Sequence, residues 1–544
     1  MPAHRYRAPT ANGAVLAEPN FDAVPGLVEA NRKRLDCADV LVGGLPLREL
    51  RTLARREVLD LVRDSDGSAG SQSLLNDISL SPDAPLLLAG HQPELSHPGV
   101  WVKNFALNGF ARKLDGIPLN LVVDNDTLKN PTFRLPVFKD RDPNSVRLET
   151  LAFDTNPNGG ELAYEGHQVF DPQLFDSLPD RAAPLHANWG YEPLLAKHWP
   201  SARTSAGSET APRTRKVGDI FTALRGERER AWGCHNLELP VSRLAQTKAF
   251  ARFVWHIWND LPRFREVYNT AVAGYRKANR IRSANHPVPD LAEREGWSEV
   301  PFWSYIGSSQ KRRGKPLIRA GREFIWRLEG DSFAKPPIPS NLDSFIQHVS
   351  AYREIRPRAL TLTLFARVCL GDFFIHGIGG GKYDEVTDTI IRDYFGIEPP
   401  AYQVLSATLH LPLPAFASTA IDLHRAQRRV RELQWSPHQH LSADQHTPPE
   451  ARALAAELES LTAHEPQRGA HAARREWFRA IQRVKEQLRP LVVNQVPESE
   501  SALARVQSEV DANAILQRRD YSWVLYPEET LRPFLEEMRD RASQ

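Results

Sequence analysis

Cysteine is scarce: Cys37, Cys234 and Cys369 are widely separated and odd in number. That usage suggests neither a disulfide framework nor a cysteine zinc site, and it fits a reducing compartment. Long apolar runs are missing too. Nothing approaches the roughly 18 residues needed to cross a bilayer, and the opening MPAHRYRAPTANG lacks the apolar core of a signal peptide. A soluble, cytoplasmic protein without a membrane partner is expected. Neither charge dominates, since 69 basic residues face 67 acidic ones for a formal net charge of +2. A main partner made of nucleic acid would call for a stronger basic bias, so none is expected. Glycine spacings of the P-loop and dinucleotide-fingerprint kinds are absent as well.

What remains is an ordinary globular composition, 41% hydrophobic and 25% charged, in a 544-residue chain long enough for more than one domain. Residues 85–129 organise it. The apolar run LLLA (86–89) stops at Gly90 and opens into a loop holding His91, Gln92, Pro93, His97, Pro98 and Gly99. A helical pattern follows, with Trp101, Phe105, Phe110 and Leu114 mostly three and four apart, closed by Gly116. A second buried strand (117–123) then ends at Asp124, Asn125 and Asp126. Ligands of open parallel sheets bind outside the carboxyl ends of strands, so these two polar ends predict a pocket.

A second stretch of this kind is FFIHGIGGGKYDEVTD. A strand-like run ends at His376, Gly377, Gly379, Gly380 and Gly381, and a helical pattern follows through Lys382, Tyr383 and Asp384. A glycine-rich turn at a helix amino end lets backbone N–H groups approach an anion, and Lys382 adds charge. The alternative is a tight turn without a ligand.

The surroundings are read more coarsely. Residues 1–30 are expected to form an irregular arm, 25–63 to form helices over one sheet face, and 64–82 a linker loop. Short strands at 131–160 extend the sheet or form an insertion beside the pocket, which is placed at 131–240 overall. The polar stretch 201–216 and the basic turn Lys311, Arg312 and Arg313 are expected to be solvated loops. Residues 245–282 carry a strong helical stripe, and 299–305 and 323–328 read as strands. From 416 to 519 long charged helices with a narrow apolar seam predict an antiparallel helical arm that offers a partner surface. His438, His440 and His446 lie within it without acidic or cysteine partners at metal-site spacing, so no metal is expected there. Residues 520–544 regain aromatics and should dock on a core spanning 1–415.

Chemically, His91 and His97 sit where a helix dipole and free N–H groups favour an anion, with Gln92, Lys103 and Asn104 beside them. Capping and packing are their structural alternatives. Asp124 and Asp126 are placed to orient a ribose, to hold Mg²⁺ alongside phosphates, or to take a proton from an amine; capping the next turn is the plainer role.

Together these residues resemble the bacillithiol biosynthesis cysteine ligase (BshC) family over most of the chain. The likeness rests on the loop Gly90, Gln92, Pro93 and Leu95, the acidic strand end 124–126, the glycine-rich turn leading to Tyr383, the helical arm, and the segment starting Leu516, Gln517 and Arg518. It implies an α/β, Rossmann-like parallel-sheet core of the nucleotidyltransferase type, an arm that forms a homodimer, and binding of ATP or ADP. The implied activity is carboxylate activation and amide formation with a small-molecule amine. The family's Glu-Asp-His-Asp type cluster is here reduced to Asp124, Asn125 and Asp126, and its Gly-Pro-Gly-Glu turn to Gly379, Gly380, Gly381 and Lys382, as expected of a divergent relative with another substrate. Two further readings use the same residues: a nucleotide-binding or partner-binding module without catalysis, and a nucleotidyl or glycosyl transferase.

Overall fold

A computed structural model describes residues 6–65, 81, 83–155, 162–199, 216–306, 312–319, 323–330, 335–339, 341–352, 355–441 and 448–544. Most of the loops expected at 64–82 and 201–216, together with Lys311 and His446, lie outside the described residues.

Six strands make the central sheet: β1 (Val15–Glu18), β2 (Leu86–His91), β3 (Ile117–Val122), β4 (Leu237–Pro240), β5 (Phe373–His376) and β6 (Gln403–Ala407). Their spatial order is β1-β6-β5-β2-β3-β4, with β1 antiparallel on the edge and the other neighbours parallel. From β2 the chain runs outward through β3 to β4, then crosses back to β5 and β6 on the other side. The strand order therefore reverses between β2 and β5, and such a reversal opens a crevice beyond the carboxyl ends of the two strands. Those ends are His91 and His376.

Side chains alternate along each strand, so the sheet feeds two cores. Leu86 and Leu88 join Ile117, Leu119 and Leu121 in one. Leu87 and Ala89 join Phe373, Ile375, Leu405 and Ala407 in the other. Burial on both faces is why these strands read as unbroken apolar runs. Helices α1 (Leu47–Ser65), α2 (Pro98–Lys113), α3 (Lys248–Asn259), α4 (Leu261–Ala278) and α5 (Ile378–Ile390) flank the sheet. α1, α3, α4 and α5 pack into the first core and α2 into the second.

Four further helices, α6 (Ala420–Trp435), α7 (Pro449–Ala463), α8 (His471–Val492) and α9 (Gln495–Leu516), form the C-terminal helical region. α6 pairs with α9, and α7 pairs with α8 around a seam of Leu458, Ile481, Val484 and Leu488. The chain then returns as α10 (Glu528–Ser543), which lies along α2. Gly109 permits that approach, because a Cβ there would collide with the carbonyl oxygen of Arg539.

The structure corrects several boundaries. Val15–Glu18, expected in an irregular arm, is the edge strand β1, and β6 falls past Pro399, where only a change of composition was visible. Thr132–Val137 and Arg147–Ala152 pair with each other instead of extending the main sheet. Leu237–Pro240, assigned to the insertion, belongs to the central sheet. The three central-sheet strands among these, four or five residues long, are too short for periodicity to show, whereas the hairpin strands were visible and only their pairing was not. Among the described residues no helix is long and apolar enough to cross a membrane.

Asp372, just before β5, is 2% exposed. It accepts from Arg51 Nη2 at 2.7 Å, from Arg55 Nη2 at 2.5 Å and from the Leu86 backbone N–H at 2.9 Å. Removing one partner of a buried ionic cluster strands the others without solvent, so Asp372→Ala is expected to cost about 3–5 kcal/mol in urea unfolding.

Candidate functional site

A cleft of about 610 Å³ occupies the crevice at the strand reversal. β2 contributes Gly90 and His91, the following loop Gln92 and His97, and the β3 end Asn125 and Asp126. β5 and the first turn of α5 contribute His376, Gly377, Gly379, Gly380 and Tyr383. The two stretches picked out in the sequence thus form facing walls of one cavity.

Lys103 stands at its floor. One and a half turns into α2, it is 2% exposed, and its Nζ donates to the Gly90 carbonyl at 2.8 Å. An ammonium has three donors; among the described residues no carboxylate lies within salt-bridge distance of this one. Burial lowers its pKa from the usual 10.5 to about 8, with Glu94 opposing. A buried cation without a counter-ion, facing a cavity, is an anion site in the making.

The histidines above it are held neutral. His91 Nδ1 lies 3.1 Å from the Gln92 carbonyl, and burial, then Lys103, depress its pKa well below the ordinary histidine value. His97 is the residue before the first turn of α2, but its side chain makes no capping bond and its buried Nδ1 has no partner. Burial, then Arg519, lower its pKa. Both imidazoles can exchange hydrogen bonds with a ligand but bring no charge.

On the facing wall His376 Nε2 lies 2.6 Å from Asp384 Oδ2, and Asp384 also accepts from Arg367 Nη1 at 2.8 Å. Burial works to raise the Asp384 pKa, yet His376 and Arg367 outweigh it and hold the carboxylate below its ordinary value. Asp384 is buried behind the histidine, so it orients the ring instead of touching a ligand as the sequence suggested. Gly377 and Gly379 have open space where a Cβ would stand, which leaves the first N–H groups of α5 accessible. Asp126 is fixed by Gln92 Nε2 at 2.9 Å and by the Thr127 N–H at 2.8 Å.

Besides Asp384, four expected site residues lie outside the cleft. Asp124 accepts from the Ser242 N–H at 2.9 Å and from the Ser242 hydroxyl, capping the helix Val241–Leu244; burial, then Glu165, raise its pKa to about 6. Asn104 donates to Glu229 Oε1 at 2.7 Å in the core. Gly381 packs against Val404, and Lys382 is exposed outside the cleft.

Two cations were missed. Arg519 arrives from the C-terminal segment, donating to Ser406 Oγ at 2.8 Å and to the Ala407 carbonyl at 2.7 Å, with its buried Nε unpartnered. Arg358 bonds Glu299 Oε1 at 2.6 Å and stacks 4.4 Å over Trp303, while one buried Nη2 lacks a partner. Nothing local marks either residue in the sequence, apart from the position of Arg519 just after the segment beginning at Leu516. Among the described residues no three His, Cys, Asp or Glu side chains are grouped to hold a metal ion. No family model and no curated protein matches the chain.

Because the folded-state pKa of Lys103 is depressed, folding gains stability as pH rises from about 8 to the usual 10.5, and its ammonium is a cost below that window. Lys103→Met is therefore expected to stabilise the ligand-free protein at neutral pH by about 1–3 kcal/mol, with the gain shrinking above about pH 8. Thermal melts of both forms across that range check it. The wild type's stabilisation by sulfate should fall over the same window, as the ammonium that holds the anion is lost.

Proposed function

We propose that the chain is a Rossmann-like, nucleotide-dependent ligase, resembling the BshC family, that activates a carboxylate and joins it to a small amine. The observation that carries the reading is Lys103, a buried ammonium without a carboxylate partner at the point where the strand order reverses. Nucleotides bind at this point in doubly wound α/β sheets, with phosphate against a helix amino end. The order of β2 to β6 supports the Rossmann-like assignment.

The donor set fits a phosphate chain. Lys103 and Arg519 supply charge, the first turn of α5 supplies backbone N–H groups, and the unpartnered polar atoms of His97 and Arg358 supply further hydrogen bonds. Such preorganised donors stabilise developing negative charge without reorganising. ATP, when bound, supplies the phosphoryl group that turns a carboxylate into an acylating agent. Mg²⁺ typically needs only one or two carboxylates when phosphates complete its shell, and Asp126 is the carboxylate lining this cleft among the described residues. His376 is the proton acceptor: its Nε2 faces the Asp384 carboxylate at 2.6 Å, and Nδ1, at the side of the ring nearest Gly380, takes the proton.

ADP or ATP at about 100 times its dissociation constant is expected to add about 2.7 kcal/mol of stability, read as a rise in melting temperature. Lys103→Met should abolish that rise, whereas Lys382→Ala should leave it. Absence of a shift with any nucleotide at millimolar concentration refutes the reading.

A further inference from the structure

A second cavity, of about 370 Å³, adjoins the cleft and shares Gln92 and Asp126 with it. The hydrogen bond between those two side chains is the partition. Beyond it the chemistry inverts. The cleft presents Lys103, Arg519 and Arg358 with Asp126 at its edge; the second cavity presents Glu94 and the same Asp126, with one exposed lysine, Lys129, at its rim. Its apolar wall is aromatic, formed by Phe133, Phe153, Tyr164 and Phe221.

Tyr164 is the independent sign that this cavity takes a ligand. The residue is 3% exposed and lines the cavity, yet its hydroxyl makes no hydrogen bond among the described residues. The ring is buried while the hydroxyl opens on the cavity, where a ligand or water can complete it. Burial raises its pKa, with Glu94 and then Asp126 adding to the effect, so both carboxylates act on the same hydroxyl. Among the described residues the half-exposed Glu94 carboxylate has His91 Nδ1 within 4 Å, at 3.6 Å, and that imidazole is neutral, while Lys103 acts on it from farther away. A cation entering here would meet the half-exposed Glu94 carboxylate, which no cation within 4 Å neutralises among the described residues, a phenol oxygen able to accept, and an aromatic wall.

We propose that this cavity is the amine subsite, a pocket for a small primary ammonium compound with an apolar body, opening onto the phosphate-binding cleft at the Gln92–Asp126 partition. The inference deepens the ligase reading and rests on it for the role of the amine, though not for its binding. It accounts for two polar chambers of opposite sign built side by side: an anionic activated carboxylate and a cationic amine must each be held before they meet.

The test is saturation-transfer NMR and calorimetric titration on the full chain with benzylammonium chloride, using benzyl alcohol as the neutral isostere. Benzylammonium should bind, and benzyl alcohol should bind at least about tenfold more weakly, the loss of one charge-assisted hydrogen bond. Glu94→Gln should weaken the ammonium by about tenfold and Tyr164→Phe by about threefold. Circular dichroism melts establish that both variants fold. Equal binding of amine and alcohol, or an affinity untouched by both substitutions, overturns the proposal. ADP stabilisation is measured in parallel. Amine binding without an ADP response supports this subsite and refutes the nucleotide reading; an ADP response without amine binding does the opposite.

Discussion

The buried carboxylate of Asp372 fixes the relation between the two strands on which the cleft depends. It accepts the N–H of Leu86, the first residue of β2, while standing immediately before β5. Arg51 and Arg55 of α1 close the other side of the carboxylate. The ladder then runs Leu87 opposite Phe373 through Ala89 opposite Ile375, so His376 arrives level with Gly90. A slip of one residue would turn every side chain to the opposite face. His376 would leave the cleft, and the Leu87 and Phe373 rows would face the wrong core. Charge buried at the amino end of the sheet therefore sets the geometry at its carboxyl end.

The outer wall is held in a comparable way. Arg356, 1% exposed, makes a bidentate pair with Glu165, both bonds at 3.0 Å. Glu165 donates its N–H to the Asp124 carbonyl at 2.7 Å, and Asn125 Nδ2 donates to the Pro357 carbonyl at 2.8 Å. The β3 end, the inserted hairpin region and the segment carrying Arg358 are tied together through these groups. Asp124 belongs to this frame, which explains why its neighbour two residues on, Asp126, faces the cavity while Asp124 itself does not.

The parts of the site that were legible are those whose signal is local. β2 and β3 are buried on both faces, so LLLA and IPLNLV stand out as apolar runs, and the turns after them expose His91, Gln92 and Asp126 as polar punctuation. Lys103 was legible as a cation close to that loop, but its neighbour Asn104 was not separable from it: one residue is about 100° around a helix, enough to move a side chain from cleft to core. The same rotation takes Lys382 out to solvent while Gly379 and Gly380 stay at the wall. β1 and β6, four and five residues long, carry too few positions for a period to emerge. Arg519 was beyond reach because its place in the cleft depends on α10 docking along α2, a contact between segments more than 400 residues apart that Gly109 makes possible.

The cost of this arrangement is concentrated at the floor of the cleft. A buried ammonium disfavours the ligand-free fold, and the protein leaves it with one carbonyl as its partner even though Glu94 stands nearby as an acid. Had Glu94 closed onto Lys103, both charges would be satisfied and both cavities would lose their distinguishing sign. Keeping them apart maintains a positive chamber and a negative chamber with a shared wall of Gln92 and Asp126. Glu94 stays half-exposed and hydrated, so closing it onto Lys103 would cost its own desolvation, and the ammonium is left for another group to neutralise. The separation is readily explained if ligands of opposite charge complete the two chambers, each supplying the counter-charge that the protein withholds from its own side chains.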